Sequence, residues 1–396
     1  MKNRVLVSSS LLLLLALPAF ASPPITVDPH GVLLRDGKPY RAIGVNLHDA
    51  FWRTVESAGD DTTMAADFIA LGKEGIPFAR VAATYYYPRW LKAYVDDKEA
   101  YLAKLDAVIA AAEANHVGLV LDLFWFDVAV PDLVGEPRSA WGDPKSKTIA
   151  FMLDYTRTLV ARYNDSAAVW AWEFGNEFNL QADLPNAADF RPPTDTGLGL
   201  AATRSAADDL KTKMIVTAFT LFAKAVREID PDRPITTGNS VSRNFAESTR
   251  TTGNWTKIDS RTAYKANLAL VTPDPMDMIS VHLYPEATQE DRFANGKHAS
   301  YADLLTLAQQ AATKTHKALF VGEWGASLAS SPGEAAVKAE FEAQLAAIVK
   351  SGAALAAVWD YTSSVNYRDW EWTIRRDNSR AYMLDAIEAA NDEMTK

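Results

Sequence analysis

Glu177 and Glu323 are oddly placed for acids. Each ends an apolar, aromatic run, Trp-Ala-Trp-Glu-Phe-Gly-Asn-Glu over residues 170–177 and Leu-Phe-Val-Gly-Glu over residues 319–323. Burying a carboxylate in such surroundings is costly, so chemistry has to be considered as the reason. Two carboxyls facing one cleft from opposite sides can break a glycosidic bond. One protonates the leaving oxygen while the other attacks the far face of the sugar or activates a water there. An acid kept partly buried has a raised pKa and stays protonated, as the proton donor of such a pair must. The dipeptide Asn176-Glu177 alone is a chance-level signal, so the reading depends on whether the chain brings these residues together.

The elements that would position them recur regularly. Short β-rich runs fall at residues 41–46, 77–81, 118–124, 169–174, 234–237, 278–282, 318–322 and 356–360. Helical patterns lie between them at residues 97–115, 149–163, 214–228, 301–315, 334–350 and 379–390. In the first of these, Leu102, Leu105, Val108, Ile109 and Ala112 repeat at helix-face spacing. Counted generously, this is eight strands alternating with helices, which predicts an α/β fold in which a parallel sheet closes into a (β/α)8 TIM barrel. The rival is a doubly wound open sheet, but no Gly-x-Gly-x-x-Gly turn follows the first strand and no phosphate loop is present. The chain exceeds the roughly 250 residues typical of the barrel. The excess is assigned to βα loops at residues 127–144, 179–205 and 239–264, and a short N-terminal β-hairpin leads into the first strand. Without linker or repeat, residues 22–396 read as a single domain.

In such a barrel the active site is built at the carboxyl ends of the strands. Those ends supply Asn46 and His48, Arg80, Asp122 and Trp125, Asn176 and Glu177, Asn239, His282 and Tyr284, Glu323 and Trp324, and Trp359 with Asp360. Glu177 closes strand four and Glu323 strand seven, so the two face each other across the opening. Glu173, four residues deeper than Glu177 on the same strand parity, reads as a structural acid paired with Arg80, because buried acids need a partner. Glu371, in Arg-Asp-Trp-Glu-Trp, reads as loop or rim. Tyr85, Tyr86, Tyr87 and Trp90 are either sugar-stacking residues or loop packing.

Taken together, Trp-Glu-Phe-Gly-Asn-Glu, Val-His-Leu-Tyr-Pro and Leu-Phe-Val-Gly-Glu-Trp-Gly-Ala resemble the pattern of glycoside hydrolase family 5, and the likeness covers essentially the whole chain after residue 21. The resemblance implies a retaining enzyme acting on β-linked polysaccharide or oligosaccharide, endo-β-1,4-mannanase-like or cellulase-like. By the same resemblance, Glu177 corresponds to the acid/base and Asn176 to the residue that bonds the sugar 2-hydroxyl. Glu323 corresponds to the nucleophile, Arg80 to the arginine that keeps it ionised, His282 and Tyr284 to the element beside it, and Trp359 to the sugar platform. Trp125 and His48 are expected at the substrate as well. The sequence departs from the pattern where Phe178 follows the Asn-Glu pair and where strand three ends in Asp-Leu-Phe-Trp-Phe without a histidine.

Composition narrows the alternatives. The formal charge is −10, which disfavours nucleic acid and anionic membrane as partners and favours a neutral polymer. Cysteine is absent, which removes thiol nucleophiles and thiolate metal sites. The six histidines show no metal-ligand spacing, so neither metal nor cofactor is expected, and the lack of a Gly-x-Ser-x-Gly elbow weighs against a Ser-His-Asp hydrolase. Residues 1–21 combine two early basic residues, an apolar run and Ala19-Phe20-Ala21, the signature of a secretory signal. A secreted or periplasmic monomer is expected, with a mature start near Ser22. A non-catalytic carbohydrate-binding protein on the same scaffold is the alternative from another class. It would most readily have lost one of Glu177, Glu323 and Arg80, and all three are present.

Overall fold

The computed structural model describes residues 25–57, 63–288, 291–293, 297–328, 331–362 and 371–394. The expected signal at residues 1–21 lies outside them. Eight parallel strands form one sheet: β1 (Ala42–Asn46), β2 (Phe78–Ala82), β3 (Gly118–Phe124), β4 (Val169–Gly175), β5 (Ile235–Thr236), β6 (Met278–His282), β7 (Ala318–Trp324) and β8 (Leu355–Val358). Their order around the sheet is β5-β4-β3-β2-β1-β8-β7-β6. Every residue of the eight is buried, as expected for parallel strands covered on both faces. The chain therefore builds the predicted (β/α)8 barrel.

The sheet closes between β5 and β6 without a regular ladder. Asp277, just before β6, bridges the seam by donating its backbone N–H to the Ile235 carbonyl at 3.0 Å and accepting the Ile235 N–H on its carboxylate at 2.8 Å. Thr236 Oγ1 adds a bond to the Met278 carbonyl at 3.2 Å. Strand β5 is two residues long, shorter than the four expected, because Gly238 turns the chain at φ 68°. A Cβ there would come 1.7 Å from the Gly175 carbonyl oxygen and 2.9 Å from the Glu173 carboxyl carbon. Only glycine allows that approach.

The covering helices are α1 (Thr63–Lys73), α2 (Lys98–Ala114), α3 (Lys147–Tyr163), α4 (Thr212–Arg227), α5 (Arg261–Leu270), α6 (Tyr301–Lys314), α7 (Glu334–Ser351) and α8 (Ala381–Met394). In α2 the Asp97 side chain caps the first turn through Ala100 N–H at 3.0 Å. The helix then buries Tyr101, Leu102, Leu105, Val108, Ile109 and Ala112, the face read from spacing. Helices α1 and α5 do not stand out in the sequence, and the segment expected as a loop at 239–264 contains Ala246–Thr252 and the start of α5. The β3 excursion likewise carries short helices, Ala129–Val134 and Arg138–Gly142. No helix among the described residues is long and apolar enough to cross a membrane.

The apolar residues fall into two main groups. One fills the shell between strands and helices; the other lies inside the barrel and includes Phe78, Val120, Met278, Phe320 and Leu355. The N-terminal segment is a three-stranded antiparallel sheet, one strand more than the expected hairpin. Its Ile25 and Leu33 join the interior group, so it plugs the floor of the barrel. Side chains alternate along a strand with period two, so two residues above this floor the inward positions become Arg80, Asp122 and Ser280. The polar layer of the barrel rests on that apolar base.

Removal of the Asp277 carboxylate tests the seam. Asp277→Ala orphans the Ile235 N–H and strips Arg227 of its counterion, so denaturant titration should show a loss of about 1–3 kcal/mol. Unchanged stability would mean that the barrel closes by other contacts.

Candidate active site

Arg80, near the end of β2, is fully buried and sits at the centre of the polar layer. Its Nε donates to Glu173 Oε1 at 2.5 Å. Nη1 reaches Glu323 Oε1 at 2.8 Å and Asn46 Oδ1 at 3.2 Å. Nη2 reaches Asn176 Oδ1 at 2.8 Å and Asp122 Oδ2 at 3.4 Å. The guanidinium also lies 4.8 Å from the centre of the Trp125 ring, within cation–π range. Burial works against its charge, but Glu173, Glu323 and Asp122 outweigh that and hold Arg80 ionised. The reading of Glu173 as a buried partner of Arg80 agrees with this geometry.

Glu323, on β7, has both carboxyl oxygens engaged. Arg80 holds Oε1, and Tyr284 donates its hydroxyl to Oε2 at 2.8 Å. Burial pushes its carboxyl up, while His282, Arg80 and the Tyr284 hydroxyl pull the other way and the Glu177 charge adds to the rise. Tyr284 is itself driven well above the usual phenol range by burial and the Glu323 charge, so it remains a donor. Trp372 packs edge-on against it at 5.2 Å.

Glu177 lies one residue beyond Asn176, past the end of β4, with φ 55° and ψ 27°. That left-handed conformation is uncommon for a residue with a side chain. It is fixed by the Glu177 N–H, which donates to the Gly238 carbonyl at 2.8 Å, so the tight approach of Gly238 also aims this acid. The Glu177 side chain keeps 31% exposure to the cleft, against 7% for Glu323. Burial pushes its carboxyl up. Between the two acids stands His282, with Nδ1 3.1 Å from Glu177 Oε1 and 3.4 Å from Glu323 Oε1. Burial drives its pKa down to about 3, so the ring is neutral, and Nδ1, beside the Glu323 carboxylate, is the nitrogen placed to carry the N–H as a donor.

One oxygen of Glu177, one of Glu323 and a nitrogen of His282 all lie within 4.8 Å of one another. Such a trio has the spacing to hold a cation. Its chemistry does not suit one, because Glu323 is already taken by Arg80 and Tyr284 and the buried guanidinium repels a second positive charge.

On the Trp125 side of the guanidinium is an aromatic wall. Trp359, half-buried after β8, stacks on His48 at 4.6 Å and on Trp125 at 6.2 Å, and its peptide bond to Asp360 is cis. His48 and Trp125 are only 3% and 1% exposed, so they back Trp359 and offer the cleft little surface of their own. Burial and the Arg80 and Arg53 charges push the His48 pKa down to about 3, which keeps this ring neutral too. Tyr85 and Trp90 are buried against each other at 4.9 Å and pack the loop, whereas Tyr86 is half-buried and Tyr87 exposed.

The structure thus brings Arg80, Asn176, Glu177, His282, Tyr284, Glu323 and Trp359 into one cleft. Glu371 lies in a turn outside this group. Three contributors were not singled out as site residues. Asn46 anchors Arg80 while donating Nδ2 to the Gly322 carbonyl at 2.9 Å. Trp372 supports Tyr284, and Gly238 sets Glu177. Asn46 was legible as a strand end, but the other two depend on distant contacts with no local signal.

A family model described as cellulase (glycosyl hydrolase family 5) matches residues 33–365. Among curated proteins, the chain is 26% identical over 181 residues to the "Probable mannan endo-1,4-beta-mannosidase A" of Aspergillus oryzae, covering 41% of this chain and 45% of that protein. It is 34% identical over 82 residues to the mannan endo-1,4-beta-mannosidase F of Aspergillus clavatus, covering 19% of each. These matches span less than half the length of the curated relatives. Among solved structures, the endo-1,4-beta-mannanase from Rhizomucor miehei superposes with a TM-score of 0.65 at 15% identity, covering 94% of this chain and 99% of that one. The exo-beta-1,4-mannosidase from Opitutaceae bacterium strain TAV5 gives 0.56 at 14%, covering 96% and 63%. Both share the barrel fold.

Proposed function

The chain belongs to glycosyl hydrolase family 5, and on that premise we propose that it hydrolyses β-linked glycosidic bonds by double displacement, with Glu323 as nucleophile and Glu177 as acid/base. The observation that carries this reading is the approach of the two carboxyls, one oxygen of each lying within 4.8 Å of the other. Carboxyls about 5–5.5 Å apart leave no room for an intervening water and favour a covalent glycosyl-enzyme, whereas inverting pairs stand roughly 6.5–9.5 Å apart.

In the first step a Glu323 carboxylate oxygen attacks the anomeric carbon, the bond to the leaving oxygen breaks, and Glu177 gives that oxygen its proton. In the second, Glu177 takes a proton from water, which attacks the same carbon and releases the Glu323 carboxylate. Arg80 and Tyr284 support the first role by holding Glu323 as an anion. The greater exposure of Glu177 supports the second, since its proton must reach a leaving group and then a water. Asn176, whose Oδ1 is taken by Arg80, keeps its Nδ2–H groups for a sugar hydroxyl. Trp359 is the platform for a pyranose face. The names of the curated relatives favour β-mannan as the substrate, with β-glucan next because the matching family model is described as cellulase.

Hydrolysis followed by proton NMR should give a first product that keeps the anomeric configuration. With Glu323→Gly, added azide should yield a glycosyl azide of inverted configuration. With Glu177→Ala, azide should give net retention on substrates with good leaving groups. An inverted first product from the wild type would overturn the double displacement. A panel of mannan, cellulose, mixed-linkage glucan and aryl β-glycosides identifies the sugar, and failure on every member would remove the glycosidase reading.

The pKa directions fix the shape of the pH profile. Activity needs Glu323 ionised and Glu177 protonated, so it falls on the acid side as Glu323 gains a proton and on the alkaline side as Glu177 loses one. Burial raises both carboxyls, which places both limbs above the ordinary carboxylate range, and the limbs belong to the pair. Tyr284→Phe removes a donor to the Glu323 anion and should move the acid limb up by about 0.5–1 unit. A profile flat from about pH 5 to 9 would contradict two titrating carboxyls.

A further inference from the structure

Asp122 and Glu173 are buried carboxyls to which the mechanism assigns no task. They are aligned partners in the parallel register of β3 and β4, both are fully buried, and both reach the same guanidinium, Glu173 Oε1 at 2.5 Å and Asp122 Oδ2 at 3.4 Å. Two carboxyls crowded together in a low-dielectric interior do not both ionise, since like charges repel. Glu173 Oε2 is buried with no hydrogen-bond partner among the described residues unless a proton stands between the two side chains. The cation beside them is Arg80, and it also serves Glu323.

We propose that Asp122 carries a proton and donates it to Glu173 Oε2, so that the pair holds a single negative charge and the Arg80 cation is left to serve Glu323. The distances choose the holder. Glu173 Oε1 lies 2.5 Å from Arg80 Nε, while Asp122 Oδ2 is 3.4 Å from Nη2, so Glu173 is the better-compensated anion. Asp122 Oδ1 accepts the Phe124 N–H at 3.0 Å, which leaves Oδ2 to bear the proton. The groups facing Asp122 are Arg80 from β2 and Glu173 from β4, and Arg80 in turn meets Glu323 from β7. Burial, then the Glu173 charge, pushes the Asp122 carboxyl well up. Asp122 is a positioning residue, acting on the nucleophile through Glu173 and Arg80. The proposal rests on the two-carboxylate reading above, but its main readout does not require turnover.

Infrared spectroscopy of the wild type near neutral pH should show a carboxylic-acid C=O stretch that shifts on carbon-13 aspartate labelling and disappears in Asp122→Asn. Asp360, the other fully buried aspartate pushed well up by burial, contributes a separate band that this variant leaves in place. Glu173→Gln gives an independent arm and should also remove the Asp122 band, because Asp122 then ionises against Arg80. Since Asn mimics the protonated acid, Asp122→Asn should keep the acid limb of the pH profile within about 0.3 unit of wild type. If Asp122 were instead an ionised partner of Arg80, no labelled band would be lost in either variant. Removal of its charge would then move the acid limb down by about a unit. Either of those results overturns the proposal. Loss of the band in a protein inactive on every glycoside would uphold the proton and reject the glycosidase reading.

Discussion

A guanidinium has five N–H donors in a rigid fork, and Arg80 has an acceptor in place for each. Those acceptors come from four other strands: Asn46 at the end of β1, Asp122 from β3, Glu173 from β4 with Asn176 just past it, and Glu323 from β7. A charge buried this deeply is tolerated only if it is paired and fully hydrogen-bonded. The barrel therefore has to close at one register, because a slip of one residue would turn any of these groups to the wrong face. The same contacts that make the buried arginine tolerable hold the Glu323 carboxylate in position. Lysine, a point charge without the fork, cannot satisfy five acceptors in this arrangement.

The two proposed reacting acids differ in how they are held. Glu323 lies inside a strand and is gripped at both oxygens, the state suited to an anion that must be aimed. Glu177 lies just past a strand, in a left-handed conformation imposed by Gly238, and opens to the cleft. Neutral His282 between them touches both without adding charge. Away from the acids, the β3 and β4 excursions are tied together by buried ion pairs. Arg138 joins Asp127 to the Asp208 carbonyl at 2.8 and 2.7 Å, and Arg204 grips Asp132 at 2.9 and 2.7 Å. These long connections are therefore fixed walls beside the rim.

Strand ends were readable because parallel strands buried on both faces leave apolar runs, and the first polar residue after such a run marks the rim. That placed Arg80, Glu177, His282, Tyr284 and Glu323 by number, and the need of a buried acid for a partner paired Glu173 with Arg80. Features created by contacts between distant segments were not readable. The brevity of β5 depends on how closely Gly238 passes Gly175, and Trp372 packs against Tyr284 from a distant segment. His48 and Trp125 were expected to touch substrate, yet stacking against Trp359 buries them. Sequence locates an aromatic residue at the rim without saying which of several rings ends outermost.

During turnover the carboxylate gripped by Arg80 should become covalently bonded to the sugar. Incubation with an activated 2-deoxy-2-fluoro β-glycoside, which slows breakdown of such an intermediate, followed by proteolysis and tandem mass spectrometry, tests it directly. The expected result is one added glycosyl unit per chain, located on Glu323. A label on Glu177, or turnover of the reagent without any covalent adduct, would contradict it.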